Sequence, residues 1–322
     1  MIVMIVAAVA FLYREDKKLA PIESRYALAY ALPSNAVTVC FLSEASSLSS
    51  PLLSSFEFPG ALAELFDSGM AAEFAKKPMA LSLHYTGSLA PLYVFDAGNS
   101  SSEPSEDAEA LMAYMRSRGM TVEYVDCSAV SSERYIQKRS VIISSDSDLL
   151  VKSAVRHLQN GISVMDASGF GDAVSAADAD DVVLISNSHA KMLMSGIFAK
   201  KNAAVDSFIA DFAQWTVIDL AKYDSSGVYA VMSGIFEKDA SDFMSVIANT
   251  QPAVSGISHM LPAYTVSAVS LPMRNAQSYI SAYQAYLDSK QALHKSRGKQ
   301  KSLAAKTGIS PEEFVKRLDI KE

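Results

Sequence analysis

The sequence predicts an α+β fold in which antiparallel sheets carry helices on one face, and in which one strand-helix unit occurs twice behind an N-terminal membrane anchor. Short segments of alternating apolar and polar residues, joined by hairpin turns, predict the strands, and apolar periods that end at glycines predict the helices. We expect a truncated transmembrane anchor over 1–14, a linker over 15–26, a first repeat over 27–175, and a second repeat with a long C-terminal helix over 176–322.

The first thirteen residues, MIVMIVAAVAFLY, are apolar and uncharged. A helix that crosses a bilayer needs about 20 such residues, so this segment is short for a complete span. It has the length of a signal-peptide core, but it lacks a basic segment before it and a small-residue cleavage site after it. We therefore expect an anchor whose first residues are missing, and a buried strand or helix is the alternative. Arg14, Lys17 and Lys18 by themselves favour a cytoplasmic C-terminal side, whereas Glu15 and Asp16 among them oppose that preference.

Apolar and polar residues that alternate with a period of two predict the positions of the strands. Val37, Val39 and Phe41 predict the first strand, and Thr-Gly-Ser predicts a hairpin turn between 79–85 and 91–97. Further strands are expected at TVEYVDC, SVIISSD, DVVLISNS (181–188), a hairpin over 215–237, and YTVSAVSL (264–271). Because hairpins pair neighbouring strands antiparallel and the strands alternate in polarity, we expect sheets with one solvated face.

Helical segments follow alternate strands. The predicted helices are ALAELFDSGMAAEF, AEALMAYMRSRG ending at Gly119, DLLVKSAVRHLQNG capped by Ser147 or Asp148, DASDFMSVIANT, and the long MRNAQSYISAYQAYLDSKQALHK. The order of strand, helix, hairpin and helix recurs, so the units at 36–170 and 181–290 are expected to be two copies of one module.

Composition narrows the class of protein. Half of the 322 residues are apolar, which is enough for a packed core. The net charge of -7 gives no general electrostatic reason to bind nucleic acid, because that interaction needs a basic surface. Nucleic acid is therefore not an expected partner.

No catalytic residue, cofactor site or metal site is predicted. The run GFGDAV (169–174) has only two of the three glycines of a dinucleotide fingerprint, and a turn is the preferred interpretation. An acidic cluster could collect calcium through its oxygens, but its spacing does not fit a known calcium loop, so a solvated loop is preferred. The cluster comprises Asp166, Asp172, Asp178, Asp180 and Asp181.

The histidines have no metal-binding spacing, and the abundant serines have no nucleophile-elbow motif. His84 lies on the polar phase of its strand and His157 near the polar face of its helix. His189 falls at a strand-helix junction, His259 in a loop and His294 in the tail. Each is expected to be a surface or capping residue.

The two cysteines, Cys40 and Cys127, are expected to be buried thiols, although pairing outside the cytoplasm is the alternative. From Lys290 to Lys306 there are six basic residues and no acidic one. Such a segment could meet anionic lipid or an acidic partner. A solvated helix and loop between repeats is the preferred interpretation.

Four segments resemble an uncharacterised bacterial family, the domain of unknown function numbered three-three-five-two, found in membrane-anchored proteins of the Bacteroides group. They are ALPSNAVTVCFLSEASSL, ISSDSDLLVKSAVRHLQNGIS followed by Phe170, TQPAVSGISHMLP, and SPEEFVKRL. The resemblance covers nearly the whole chain and rests on patterned apolar positions. It implies a single-pass inner-membrane anchor, an extracytoplasmic body and a longer chain than this one, and it carries no catalytic residues with it.

We therefore expect a non-enzymatic envelope protein that binds or scaffolds a macromolecular partner, with a membrane contact through its anchor. Tyrosines at 223, 229, 279, 283 and 286 are candidate contact residues, and core packing is the alternative for them. The competing hypothesis is a hydrolase whose serine nucleophile meets His84, His189 or His259 from a distant part of the sequence.

Overall fold

A computed structural model describes residues 24–49, 72–130, 136–190, 209–220, 230–236, 241–254, 261–262 and 272–318. These residues belong to two compact units. The sheet unit contains 24–210 and Trp215–Ile235, and the C-terminal unit contains Asp211–Gln214 and the chain from 236 onward. The expected anchor at 1–14 and the expected strand at 264–271 lie outside the described residues.

Eight strands of the sheet unit form one antiparallel sheet in the order β4-β5-β3-β2-β1-β6-β7-β8. The predicted α+β class is therefore confirmed. The strands are β1 Thr38–Leu42, β2 Met79–Tyr85, β3 Leu89–Asn99, β4 Thr121–Asp126, β5 Arg139–Ser145, β6 Asp181–Ser186, β7 Trp215–Leu220 and β8 Ala230–Ile235. The boundary expected between the two repeats falls inside this sheet, just before β6, and the duplication stays a prediction.

The described helices of the sheet unit are α1 Ala72–Ala75, α2 Glu106–Ser117, α3 Asp148–Gln159 and α4 Phe170–Ala176. Serines cap two of them. Ser105 caps α2 by accepting from the Ala108 N–H, and Ser147 caps α3 by accepting from the Leu150 N–H. Gly119 and Gly161, which follow α2 and α3, both have positive φ, as the sequence predicts for helix ends.

Two apolar clusters cover the two faces of the sheet. The first face contacts the 3₁₀ segment Ser24–Ala31, α3 and α4, with Phe41 and Phe170 buried between them. The second face contacts α1 and α2. In β1, Val39 and Phe41 point to the first face, whereas Cys40 and Leu42 point to the second.

The expectation of helices on one face only is thus wrong for β1, β2, β3 and β5. Nearly every residue of β1 and β5 is buried, so these strands need a cover on both sides. Small and polar residues such as Ser82 and Ser144 occupy buried positions and make the sequence look half-solvated. The expected alternation does hold in β6 and β7, where every second residue is buried.

The described part of the C-terminal unit contains four helices, α5 Phe243–Ala248, α6 Ala276–Ser289, α7 Leu293–Thr307 and α8 Pro311–Leu318. The single long helix expected after 272 is wrong, because α6 and α7 are separate. The Gln291 N–H donates to the Asp288 carbonyl and the Ala292 N–H to the Leu287 carbonyl, while Gln291 has a φ of 55°. This pattern is a Schellman motif with glutamine at the left-handed position, so nothing in the sequence marks the break.

Within the described ranges, no helix has both the length and the apolar character needed to span a membrane.

Candidate functional site

A chain of hydrogen bonds joins a serine, a histidine and an asparagine on the first face of the sheet. Ser82 and His84 lie two residues apart in β2, so their side chains share that face. Ser82 Oγ is 2.8 Å from His84 Nε2, and His84 Nδ1 is 3.0 Å from Asn35 Oδ1, just before β1. Because an amide oxygen only accepts, the neutral ring carries its proton on Nδ1, and Nε2 accepts from the serine hydroxyl.

Burial determines the charge state of this histidine. His84 is fully buried, and burial lowers its pKa to about 4, with further lowering from the nearby His157 and His189. The ring is therefore neutral at physiological pH. The expectation that His84 is a surface or capping residue is wrong, because its polar partners lie inside the protein.

A second serine-histidine contact lies at the end of β6. Ser186 Oγ is 3.0 Å from His189 Nδ1 and 3.1 Å from Ser188 Oγ. The Ser186 N–H donates to the Val37 carbonyl, which places this contact beside the start of β1. The predicted junction is correct, since β6 ends at Ser186 and the next described residues are helical.

His157, near the end of α3, completes a group of three histidines at this end of the sheet. Its Nδ1 is buried and has no hydrogen-bond partner among the described residues. Of the other two histidines, His294 is exposed in α7, whereas His259 lies outside the described residues.

Ser82, His84 and Asn35 stand in the order of a nucleophile, a base and an orienting group. A substrate cannot reach them, because Ser82 and His84 are both 0% exposed. A hydrolytic serine must reach a substrate carbonyl, so the hydrogen-bond chain fits a structural role better than a catalytic one. Sequence reasoning missed it because Asn35 and His84 are 49 positions apart.

The acidic residues singled out from the sequence lie in different local surroundings. Asp166 closes a capping box with Ser163, and Asp181 accepts from both the backbone and the hydroxyl of Ser43. Asp172 lies in the first turn of α4. Within the described ranges, no group of three or more His, Cys, Asp or Glu residues could hold a metal ion.

The run GFGDAV comprises Gly169 and the first five residues of α4, so the preferred interpretation as a turn is wrong. Gly169 precedes the helix with a φ of 73°, and Phe170 is buried against Phe41 and Trp215. A left-handed residue of this kind favours glycine. The motif therefore anchors a helix to the first face of the sheet.

The cysteines are unpaired thiols on opposite faces of the sheet. Cys40 belongs to the cluster on the second face and Cys127 to that on the first. Burial raises both pKa values, that of Cys127 to about 12. The expectation of buried thiols is confirmed.

The C-terminal unit carries an open cleft of about 160 Å³ between α6, α7 and α8. Its lining is mostly apolar and includes Tyr279, Ile280, Tyr283, Leu287, Leu293 and Val315. Tyr283 is 36% exposed and stacks between Tyr279 and Tyr286, at centroid distances of 6.0 and 6.1 Å. Tyr286 itself is buried, and Tyr223 and Tyr229 lie outside the described residues.

No protein-family model, curated protein or solved structure matches the chain. The resemblance to the uncharacterised Bacteroides-group family stays a prediction.

Proposed function

We propose that this chain is a membrane-anchored envelope protein that binds a macromolecular partner and does not turn over a substrate. The cleft of the C-terminal unit carries the proposal. Pockets for small molecules usually measure about 300–1,000 Å³, whereas an apolar cavity of about 150 Å³ holds one benzene-sized group. At about 160 Å³, the cleft fits a single apolar side chain of a partner.

The chemistry of the lining supports the same conclusion. Tyrosines that present an apolar ring and a polar hydroxyl are enriched among the residues that dominate binding energy at protein interfaces. Tyr283 is held by stacking on both sides, so little side-chain entropy is lost when a partner covers it. Leu303 and Phe314, at 47% and 51% exposed, add apolar surface to α7 and α8.

The membrane location rests on the sequence. The charge-free stretch to Tyr13 supports an anchor, and the family resemblance supports an extracytoplasmic body at the inner membrane.

The strand order of the sheet supports the proposal that one module is duplicated. Strands β1, β2 and β3 form one antiparallel meander, and β6, β7 and β8 form another. The two meanders meet through the antiparallel pair of β1 and β6, so they run outward in opposite directions from that pair. This is the arrangement expected when two copies of one strand unit join along their first strands.

Affinity capture from envelope extract tests the binding function. We expect the wild-type chain and Tyr85→Ala to capture the same protein, and Tyr283→Ala to lose at least tenfold of it. Tyr85 is a matched control because it is an exposed tyrosine of the sheet unit, at 47%. Equal capture by the two variants, or no reproducible partner, contradicts the proposal.

A serine hydrolase is the second candidate, and the bonded chain of Ser82, His84 and Asn35 favours it. A fluorophosphonate probe distinguishes the two functions, since it labels only a serine that is activated and accessible. We expect no labelling of the folded wild-type chain. Labelling that disappears in Ser82→Ala, together with ester turnover, would establish the hydrolase instead.

A further inference from the structure

Helix α7 has one face toward the cleft and another toward solvent. Leu293, Ser296 and Gln300 line the cleft. At about 100° per residue, Lys295, Lys299 and Lys306 fall within about 40° of one another, about 110° around the helix from the cleft-lining residues. All three lysines are exposed, and we call them the lysine stripe.

The stripe is not neutralised locally. Helix α7 also contains Arg297 and Lys301 and has no acidic residue, although the whole chain has a net charge of -7. Among the described residues, no ion pair involves any of the three lysines. This part of the C-terminal unit is therefore a concentrated positive surface on an acidic protein.

We propose that the lysine stripe docks on the anionic phospholipid headgroups of a membrane, an inference that rests on the proposed membrane location. The stripe extends about 16 Å along a straight helix, at a rise of about 1.5 Å per residue. A flat row of exposed ammonium groups matches a planar array of phosphates. Each lysine near such a surface strengthens binding about fivefold, so the stripe contributes on the order of 100-fold.

A nucleic acid fits the same region less well. Helices α7 and α8 are joined by a short turn at Gly308, whose φ is 76°, and so have the outline of a helix-turn-helix. In that motif the first turn of the second helix contacts the bases. Here the first turn of α8 carries Glu312 and Glu313, which would repel the phosphates.

Partition of the full chain into vesicles tests the inference. The readout is the partition coefficient for phosphatidylcholine vesicles with 30% phosphatidylglycerol, divided by that for phosphatidylcholine alone. We expect a large ratio for the wild type that falls on the order of 100-fold in the triple variant Lys295→Gln, Lys299→Gln, Lys306→Gln. The ratio should also fall steeply between 50 and 500 mM NaCl, because exposed charges are screened.

The matched control is the triple variant Lys76→Gln, Lys138→Gln, Lys152→Gln, which removes three exposed lysines from the sheet unit. We expect its ratio to stay within about twofold of the wild type, since its charges lie outside the stripe. Equal losses in the two triple variants, a wild-type ratio near one, or tighter binding to duplex DNA at the same salt would overturn the inference. Failure to partition into phosphatidylcholine alone would contradict the anchor. In that case the coefficient for the vesicles with 30% phosphatidylglycerol, compared between the wild type and the two triple variants, tests the stripe.

Discussion

At the residue scale, His84 connects the local chemistry of the sheet to the stability of the protein. Its two ring nitrogens are bonded to Ser82 and Asn35, so the fully buried ring leaves no polar atom unsatisfied. A charged imidazolium at this position would lose its hydration and would face His157 and His189. The structure therefore requires the neutral ring.

This requirement predicts how stability depends on pH. The pKa of His84 is about 4 in the folded state, against 6.5 in the unfolded chain. Between these values the unfolded chain binds the proton and the folded chain does not, so the free energy of unfolding falls as the pH falls. The loss is about 3 kcal/mol from pH 6.5 to 4, and there is none above pH 6.5.

Urea unfolding of the wild type and of His84→Gln at pH 7 and pH 4.5 checks this prediction. The variant is expected to be less stable at pH 7 by about 1–3 kcal/mol, because its amide does not reproduce both hydrogen bonds. The difference between the two proteins should shrink by roughly 2–3 kcal/mol at pH 4.5. Parallel pH dependences would show that His84 is not held neutral.

At the element scale, the break between α6 and α7 depends on a residue in an unusual conformation. Gln291 has a φ of 55°, a conformation that glycine adopts more easily than glutamine does. A side chain in the left-handed region costs about 1 kcal/mol relative to glycine. We therefore expect Gln291→Gly to stabilise the C-terminal unit by about 0.5–1 kcal/mol.

Amide hydrogen exchange of α6 and α7 in the full chain measures the effect. Ala285→Gly is the control, since Ala285 is exposed in the interior of α6, where glycine should destabilise by about 1 kcal/mol. Destabilisation by both substitutions would contradict the left-handed break.

Local patterns predicted the elements well where the interactions are local. The hairpin of β2 and β3, the capped α3 and the glycine ends of two helices follow from turn and capping chemistry that neighbouring residues determine. The burial of β1 and β2 on both faces was not predictable, because the face that α2 or α3 covers depends on contacts between residues far apart in sequence. The hydrogen-bond chain of His84 was missed for the same reason.

At the scale of the whole molecule, the two units differ in how much of their surface is buried. The sheet unit has apolar clusters on both faces, whereas α7 has no buried residue and α6 has only Ala276 and Tyr286. Helices with so few buried residues are expected to open and re-form at low free energy. Binding surfaces are drawn from such regions, which is consistent with a cleft and a basic face on α7.

Site-specific photocrosslinking in intact cells tests the binding function most directly. A photoreactive phenylalanine derivative at position 283 probes the cleft, and the same residue at position 85 probes a more exposed site of the sheet unit. We predict one discrete protein adduct from position 283 and none from position 85. No adduct at position 283, or the same set of adducts from both positions, would contradict a partner-binding cleft in the C-terminal unit.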